Sequence, residues 1–185
     1  MTLVLIAIAV VLVLAVGFLL TLFNRLVRLR NKVDNAWSQI DVQLKRRYDL
    51  LPALSEVVKG YTSHEREVLT SAAEARAGAI SASSVGDKGP AEETLTGAIG
   101  GVLALAEKYP DLKANVEFLK FQAQLATTEN RIAGARKYYN GAVMYYNNAR
   151  EAFPGNLVAR MFRSRFTDRD YFDVQEPADR LAPPV

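Results

Sequence analysis

The run LVLIAIAVVLVLAVGFLLTLF, Leu3 to Phe23, contains no charged side chain. At about 1.5 Å per residue it covers about 30 Å, the thickness of a bilayer's hydrocarbon layer, and it reads as a transmembrane helix. A cleaved leader would show a basic start, a shorter apolar stretch and a small-x-small site before the charged flank, and this run has none of them. Leu3 to Phe23 is therefore expected to be a permanent anchor, with the rest of the chain folding beside a membrane.

Only Met1 and Thr2 precede the anchor, whereas Arg25, Arg28, Arg30 and Lys32 follow it at once. The positive-inside bias then predicts a single pass with the amino terminus outside and the larger domain in the cytoplasm. The same four cations lie at head-group level and are expected to contact lipid. They outnumber the net charge of +3, so the remainder of the chain is about neutral. A nucleic-acid partner, which would need a basic stripe on the folded domain, is not expected despite a pI near 9.2. Cysteine is absent, which removes disulfides, thiolate nucleophiles and Cys-ligated zinc.

Beyond the anchor the apolar residues recur at helical intervals. Val33, Trp37, Ile40, Leu44, Leu51, Leu54 and Val58 form one stripe, with Arg47 in its register as a charged or snorkelling interruption. Pro52 predicts a kink or break near Leu51, and Gly60 a stop. A second helix is expected from Thr62, capped by Thr62 and Glu65, to about Ile80. SASSVGDKGP, residues 81 to 90, reads as an exposed loop. A third helix follows over about 91 to 109, with Leu95, Ile99, Val102, Leu103 and Ala106 inward; Gly97, Gly100 and Gly101 there imply a close approach or a hinge. The last helix, about 111 to 152, repeats Phe118, Leu125, Ile132, Tyr139, Tyr146 and Phe153 every seventh residue, with Phe121, Ala135, Ala142, Val143 and Ala149 filling neighbouring seam positions. The fold class is all-α: a transmembrane helix, then an elongated antiparallel bundle of two long and two shorter helices.

Catalytic patterns are missing from this framework. His64 is the lone histidine, and in HEREV the place of a second zinc-binding histidine is taken by Val68. Neither GxxxxGK[ST] nor GxGxxG occurs. The conspicuous polar feature is a doubled Tyr-Tyr-Asn, Tyr138-Tyr139-Asn140 and Tyr145-Tyr146-Asn147. Tyr139 and Tyr146 centre on the inward face, the asparagines lie about 100° to one flank, and Tyr138 and Tyr145 about 100° to the other. Two readings stand. The band is core, with its asparagines paired to backbone or to Asn35, Gln39 or Gln43, or part of it faces a neighbouring subunit. Downstream, LVARMFRSRF interleaves arginine with phenylalanine and either lies on lipid or folds over the bundle end; YFDVQEPADRLAPPV looks extended.

The blocks NKVDNAWSQIDVQLKRRYDLLPALSEVVKGY, residues 31 to 61, and ENRIAGARKYYNGAVMYYNNAREAFPGNLVARMF, residues 129 to 162, resemble the LemA family. The matching residues are Asp34, Asn35, Trp37, Gln43, Arg46, Arg47, Tyr48, Asn130, Arg131, Ala135, Arg136, Tyr139, Asn140, Tyr146, Asn147, Phe153, Pro154 and Asn156. MFRSRF departs from the family's less basic phenylalanine-rich stretch. The resemblance implies an elongated helical bundle on one anchor in a bacterial cytoplasmic membrane, and it implies no reaction. It suggests membrane scaffolding or association with a membrane protease.

Together these readings give an anchor at 1–23, a bundle at 24–162 and a tail at 163–185. They describe a non-enzymatic protein without cofactor or metal that contacts lipids, self-associates and scaffolds at the cytoplasmic face. A regulator of a membrane protease and a small-ligand sensor built on Arg46, Arg47 and the Tyr/Asn band are the alternatives. The structural or interface residues expected to matter are Asn35, Trp37, Gln43, Arg47, Tyr139, Asn140, Tyr146, Asn147 and Phe153.

Overall fold

A computed structural model describes residues 1–62 and 64–172, and among these all regular structure is helical. The elements are α1 (Thr2–Lys59), α2 (Arg66–Ser81), α3 (Val85–Lys108), α4 (Pro110–Lys113), α5 (Val116–Glu151) and α6 (Gly155–Met161). Two compact units share α1 and α5. One holds Met1–Ser38 with Lys137–Arg169, and the other holds Gln39–Arg136 with residues 170–172.

In the first unit the anchor continues into the bundle as one helix. The apolar side chains from Leu3 to Leu20 are exposed, as a lipid-facing surface would be, and Leu26, Val33 and Ala36 are the first buried positions on α1. Trp37 meets Tyr139 edge-on at 5.3 Å between ring centroids. Phe23, about 21 Å earlier on α1, meets Phe162 and Phe166. The chain after Tyr139 thus runs back toward the apolar end of α1.

In the second unit, α2 and α3 pack on each other and on the later half of α1. The helical periodicity is realised closely: Ile40, Leu44, Leu51, Leu54 and Val58 on α1, and Leu95, Ile99 and Val102 on α3, are all buried. Leu105, which the sequence reading omitted, is buried as well.

Several local expectations are corrected, each by a side chain that satisfies the backbone differently. Pro52 does not break α1. Its missing N–H would have bonded the Tyr48 carbonyl, and Arg76 Nε donates to that oxygen instead, at 2.8 Å. Thr62 does not open α2. It is buried and donates to the Val58 carbonyl at the end of α1, while Glu65 makes no side-chain cap. The expected loop over 81–90 is mostly helix. Ser84 Oγ accepts from the Asp87 N–H at 3.1 Å and caps α3. Lys88, expected in solvent, is buried and donates to the Ala79 and Ala82 carbonyls at the end of α2. The last helix is split at Ala114 and Asn115, because Asn115 Oδ1 accepts from the Phe118 N–H at 2.9 Å and starts α5 afresh.

The seven-residue seam holds at Phe118, Leu125, Ile132, Tyr139 and Tyr146, all buried. Phe153 is not part of it: the helix ends at Glu151 and this ring is 79% exposed. A Cβ at Gly97 or Gly100 would meet nothing within 4 Å, and one at Gly101 only ordinary contact, so close approach does not explain these glycines. Gly155 is the position that requires one, since a Cβ there would lie 2.0 Å from the Ala149 carbonyl oxygen. The expected extended tail lies outside the described residues from 173 onward.

Candidate functional site

Two polar constellations stand out, one in each unit. In the second unit Arg47 does not snorkel. Its side chain is buried within the α1 stripe, where Nη1 lies 3.1 Å from Glu92 Oε2, Nη2 lies 2.6 Å from Thr96 Oγ1, and Nε lies 2.9 Å from Glu129 Oε1. Glu92 is equally buried. It also accepts from the Tyr48 hydroxyl, whose pKa is pushed far above its ordinary value by burial, then by the hydrogen bond to Glu92 and the charge of that carboxylate. The Lys88 ammonium sits 5.9 Å from the centre of the Tyr48 ring. The cluster ties α1 to α2, α3 and α5. It places charges where only their partners compensate for lost water, so it specifies a mutual arrangement more than it adds stability. Arg47 is engaged inward by α3 and α5 and holds these helices to α1.

In the first unit the second Tyr-Tyr-Asn grips the chain's own later segment. The Tyr146 hydroxyl donates to the Thr167 carbonyl at 2.9 Å. Asn147 Nδ2 donates to the Arg169 carbonyl at 2.9 Å, and its Oδ1 accepts from the Arg169 N–H at 3.2 Å. Arg150 pairs with Asp168, and Arg169 with Asp34 at 2.8 Å. Burial raises the Tyr146 pKa, opposed by the charges of Arg169, Arg150 and Arg30. Asn147 thus pairs with backbone, as one reading expected, but with residue 169 and not with a first-helix amide.

The remaining expected residues are dispersed. Trp37, Gln43 and Asn140 are half-buried and Asn35 is exposed; the Gln43 Oε1 is enclosed without a hydrogen-bond partner among the described residues. Tyr138 and Tyr145 face outward, 47% and 59% exposed, and Lys32 reaches over the Tyr138 ring at 5.7 Å. Arg25, Arg28 and Lys32 are exposed and Arg30 is half-buried. Sequence reasoning missed Glu92, Glu129, Lys88, Arg76 and Arg169. All but Lys88, whose acceptors lie nine and six residues earlier, meet their partners across many residues, and a scattered acid or base carries no spacing signal that would name that partner.

The sequence model of the LemA family matches residues 36–185, which contain the first constellation and all of the second except Asp34. The chain belongs to the LemA family. Protein LemA of Metamycoplasma hominis is 31% identical over 139 residues, covering 74% of this chain. This chain spans 63% of that relative's length. Magnetosome protein MamQ 2 of Paramagnetospirillum magneticum is 24% identical over 193 residues, covering 89% of this chain and 70% of the relative. Magnetosome protein MamQ of Magnetospirillum gryphiswaldense is 22% identical over the same shares. Among the described residues α1 is long and apolar enough to cross a membrane, and its first, exposed apolar stretch supports a membrane location for this LemA-family chain.

Proposed function

We propose that this LemA-family chain is a non-enzymatic, single-pass scaffold that self-associates at the cytoplasmic face of its membrane. The observation that carries the proposal is the two-sidedness of the doubled triplet. Tyr139 and Tyr146 are consumed by the core, whereas Tyr138, Tyr145 and Met144 stay exposed. Exposed tyrosines offer large, stiff contact area with a polar tip, the composition favoured at interfaces. The exposed cations Arg25, Arg28 and Lys32 just past the anchor support the cytoplasmic orientation. The names of the relatives denote no reaction, which is compatible with a non-enzymatic role.

The test is the mass of the detergent-extracted full chain, beside thiol cross-linking of Tyr145→Cys in native membranes; the natural chain has no other thiol. Cross-linked multimers, weakened by Tyr138→Glu, are expected. A monomer that co-purifies with a membrane protease would overturn scaffolding by self-association.

A further inference from the structure

The chain between Gly155 and Phe166 contains Arg160, Arg163 and Arg165 and no carboxylate. On α6, Val158 and Ala159 are buried against the unit, but Leu157 and Met161 are 51% and 68% exposed. At about 100° per residue this pair lies roughly 130° from the buried side, so α6 carries a second apolar strip that the described residues do not cover. Its height relative to the membrane is fixed by contact. Phe23, the last residue of the uncharged run, meets Phe162 at 4.9 Å and Phe166 at 5.4 Å between ring centroids. The Arg165 guanidinium lies 5.3 Å from the centre of the same ring. A helix of seven residues is about 10 Å long, and the end of α6 next to Phe162 lies at the level of the head-group layer, about 5 to 8 Å deep on each side.

From this we infer that α6 and the turn after it form a foot that lies in the bilayer interface, inserting Leu157, Met161 and Phe162 while its arginines engage anionic lipid phosphates. Arg160 and Arg163 also line a cleft of about 520 Å³ together with Asn156, Arg150 and the Glu151 carboxylate that pairs with Arg150, a seat for one such head group held by the two arginines of the foot, which are unpaired among the described residues. A second copy of the chain is the poorer occupant, because an isologous contact would bring these arginines against one another. The foot is separate from the exposed tyrosines of α5 and does not depend on self-association.

The full chain, labelled at Met161→Cys with an environment-sensitive fluorophore, is reconstituted in vesicles of phosphatidylcholine with phosphatidylglycerol. Ser38→Cys, about 22 Å beyond Phe23 along α1, is the reference. Spin-labelled lipid is expected to quench position 161 several-fold more than position 38. Quenching should fall in phosphatidylcholine alone, and Arg160→Gln/Arg163→Gln/Arg165→Gln should abolish that lipid dependence. Leu157→Cys repeats the measurement should Met161→Cys lower helicity. Equal quenching at positions 161 and 38 would overturn the foot. So would a label shielded from aqueous iodide yet not reached by spin-labelled lipid, which would mean that protein covers the strip.

Discussion

Replacing Arg47 by Met removes the cation from a carboxylate that has no access to water, and the contacts set the size of the loss. Three partners are lost: Glu92 at 3.1 Å, Thr96 at 2.6 Å and Glu129 at 2.9 Å. The Glu129 side chain is 42% exposed, so it rehydrates, and its share is that of a surface pair, under about 1 kcal/mol. Glu92 is fully buried, and a carboxylate stranded without its cation costs about 3–5 kcal/mol. The Tyr48 hydroxyl still donates to Glu92, which holds the loss near the lower end. In Arg47→Met/Glu92→Leu no charge is stranded, so stability should return to within about 2 kcal/mol of the parent, far from the sum of the two single losses. Urea unfolding of the micelle-bound full chain, followed by far-ultraviolet ellipticity over the constant background of the anchor, measures all four members of the cycle. A loss below about 1 kcal/mol for the single variant, or additive losses in the double, would refute the account of a desolvated pair.

Other perturbations test other joints. Asn147→Ala removes both hydrogen bonds to the Arg169 backbone and should cost about 1–3 kcal/mol, with faster tryptic cleavage near Arg165 and Arg169 as the direct readout. Gly155→Ala must displace backbone at Ala149 and should lower stability by about 1–3 kcal/mol, whereas Gly97→Ala, with open space around it, should raise it by about 1 kcal/mol; melting of the two variants compares them. Because the Tyr48 pKa is raised in the folded chain, stability is intact below pH of about 10 and declines as pH rises from there toward the folded value, where the unfolded chain ionises first. In urea midpoints measured across that range, Tyr48→Phe should flatten the decline.

What the sequence disclosed and what it hid follow from the range of each interaction. Helical periodicity is local and repeated, so the α1 stripe, the α3 face and five of six seam positions on α5 were legible. The two missed caps were legible in principle. Ser84 stands three residues before Asp87, and Asn115 two before Glu117, but Gly86, Gly89 and Pro90 after Ser84 weigh toward a loop, and the unbroken seven-residue pattern hides Asn115. The passage of α1 through Pro52 was not legible, because it depends on Arg76, which approaches from α2. Arg47 was placed in the correct register, yet its state turned on Glu92 and Glu129, and a seam arginine alone does not distinguish snorkelling from burial.

The two halves of the doubled triplet share a period but have different work, and this bears on the foot beside the anchor. The first half supplies Tyr139 to the stack with Trp37 and leaves Tyr138 outside. The second half, with Arg150, holds Thr167 to Arg169, while Phe166 is buried beside Phe23. The segment from Gly155 onward is thereby fixed at both ends, at Ala149 by the close approach of Gly155 and at residues 167–169 by hydrogen bonds. A segment held this tightly does not leave Leu157 and Met161 in the open through slack. Their exposure is built into the fold at the level where the anchor leaves the hydrocarbon, and apolar side chains at that level gain burial only from lipid or from another protein. The arginines around them favour lipid. Loosening the grip with Asn147→Ala should therefore weaken lipid quenching at position 161 without altering the apolar strip itself, which makes the clamp and the foot one mechanical unit.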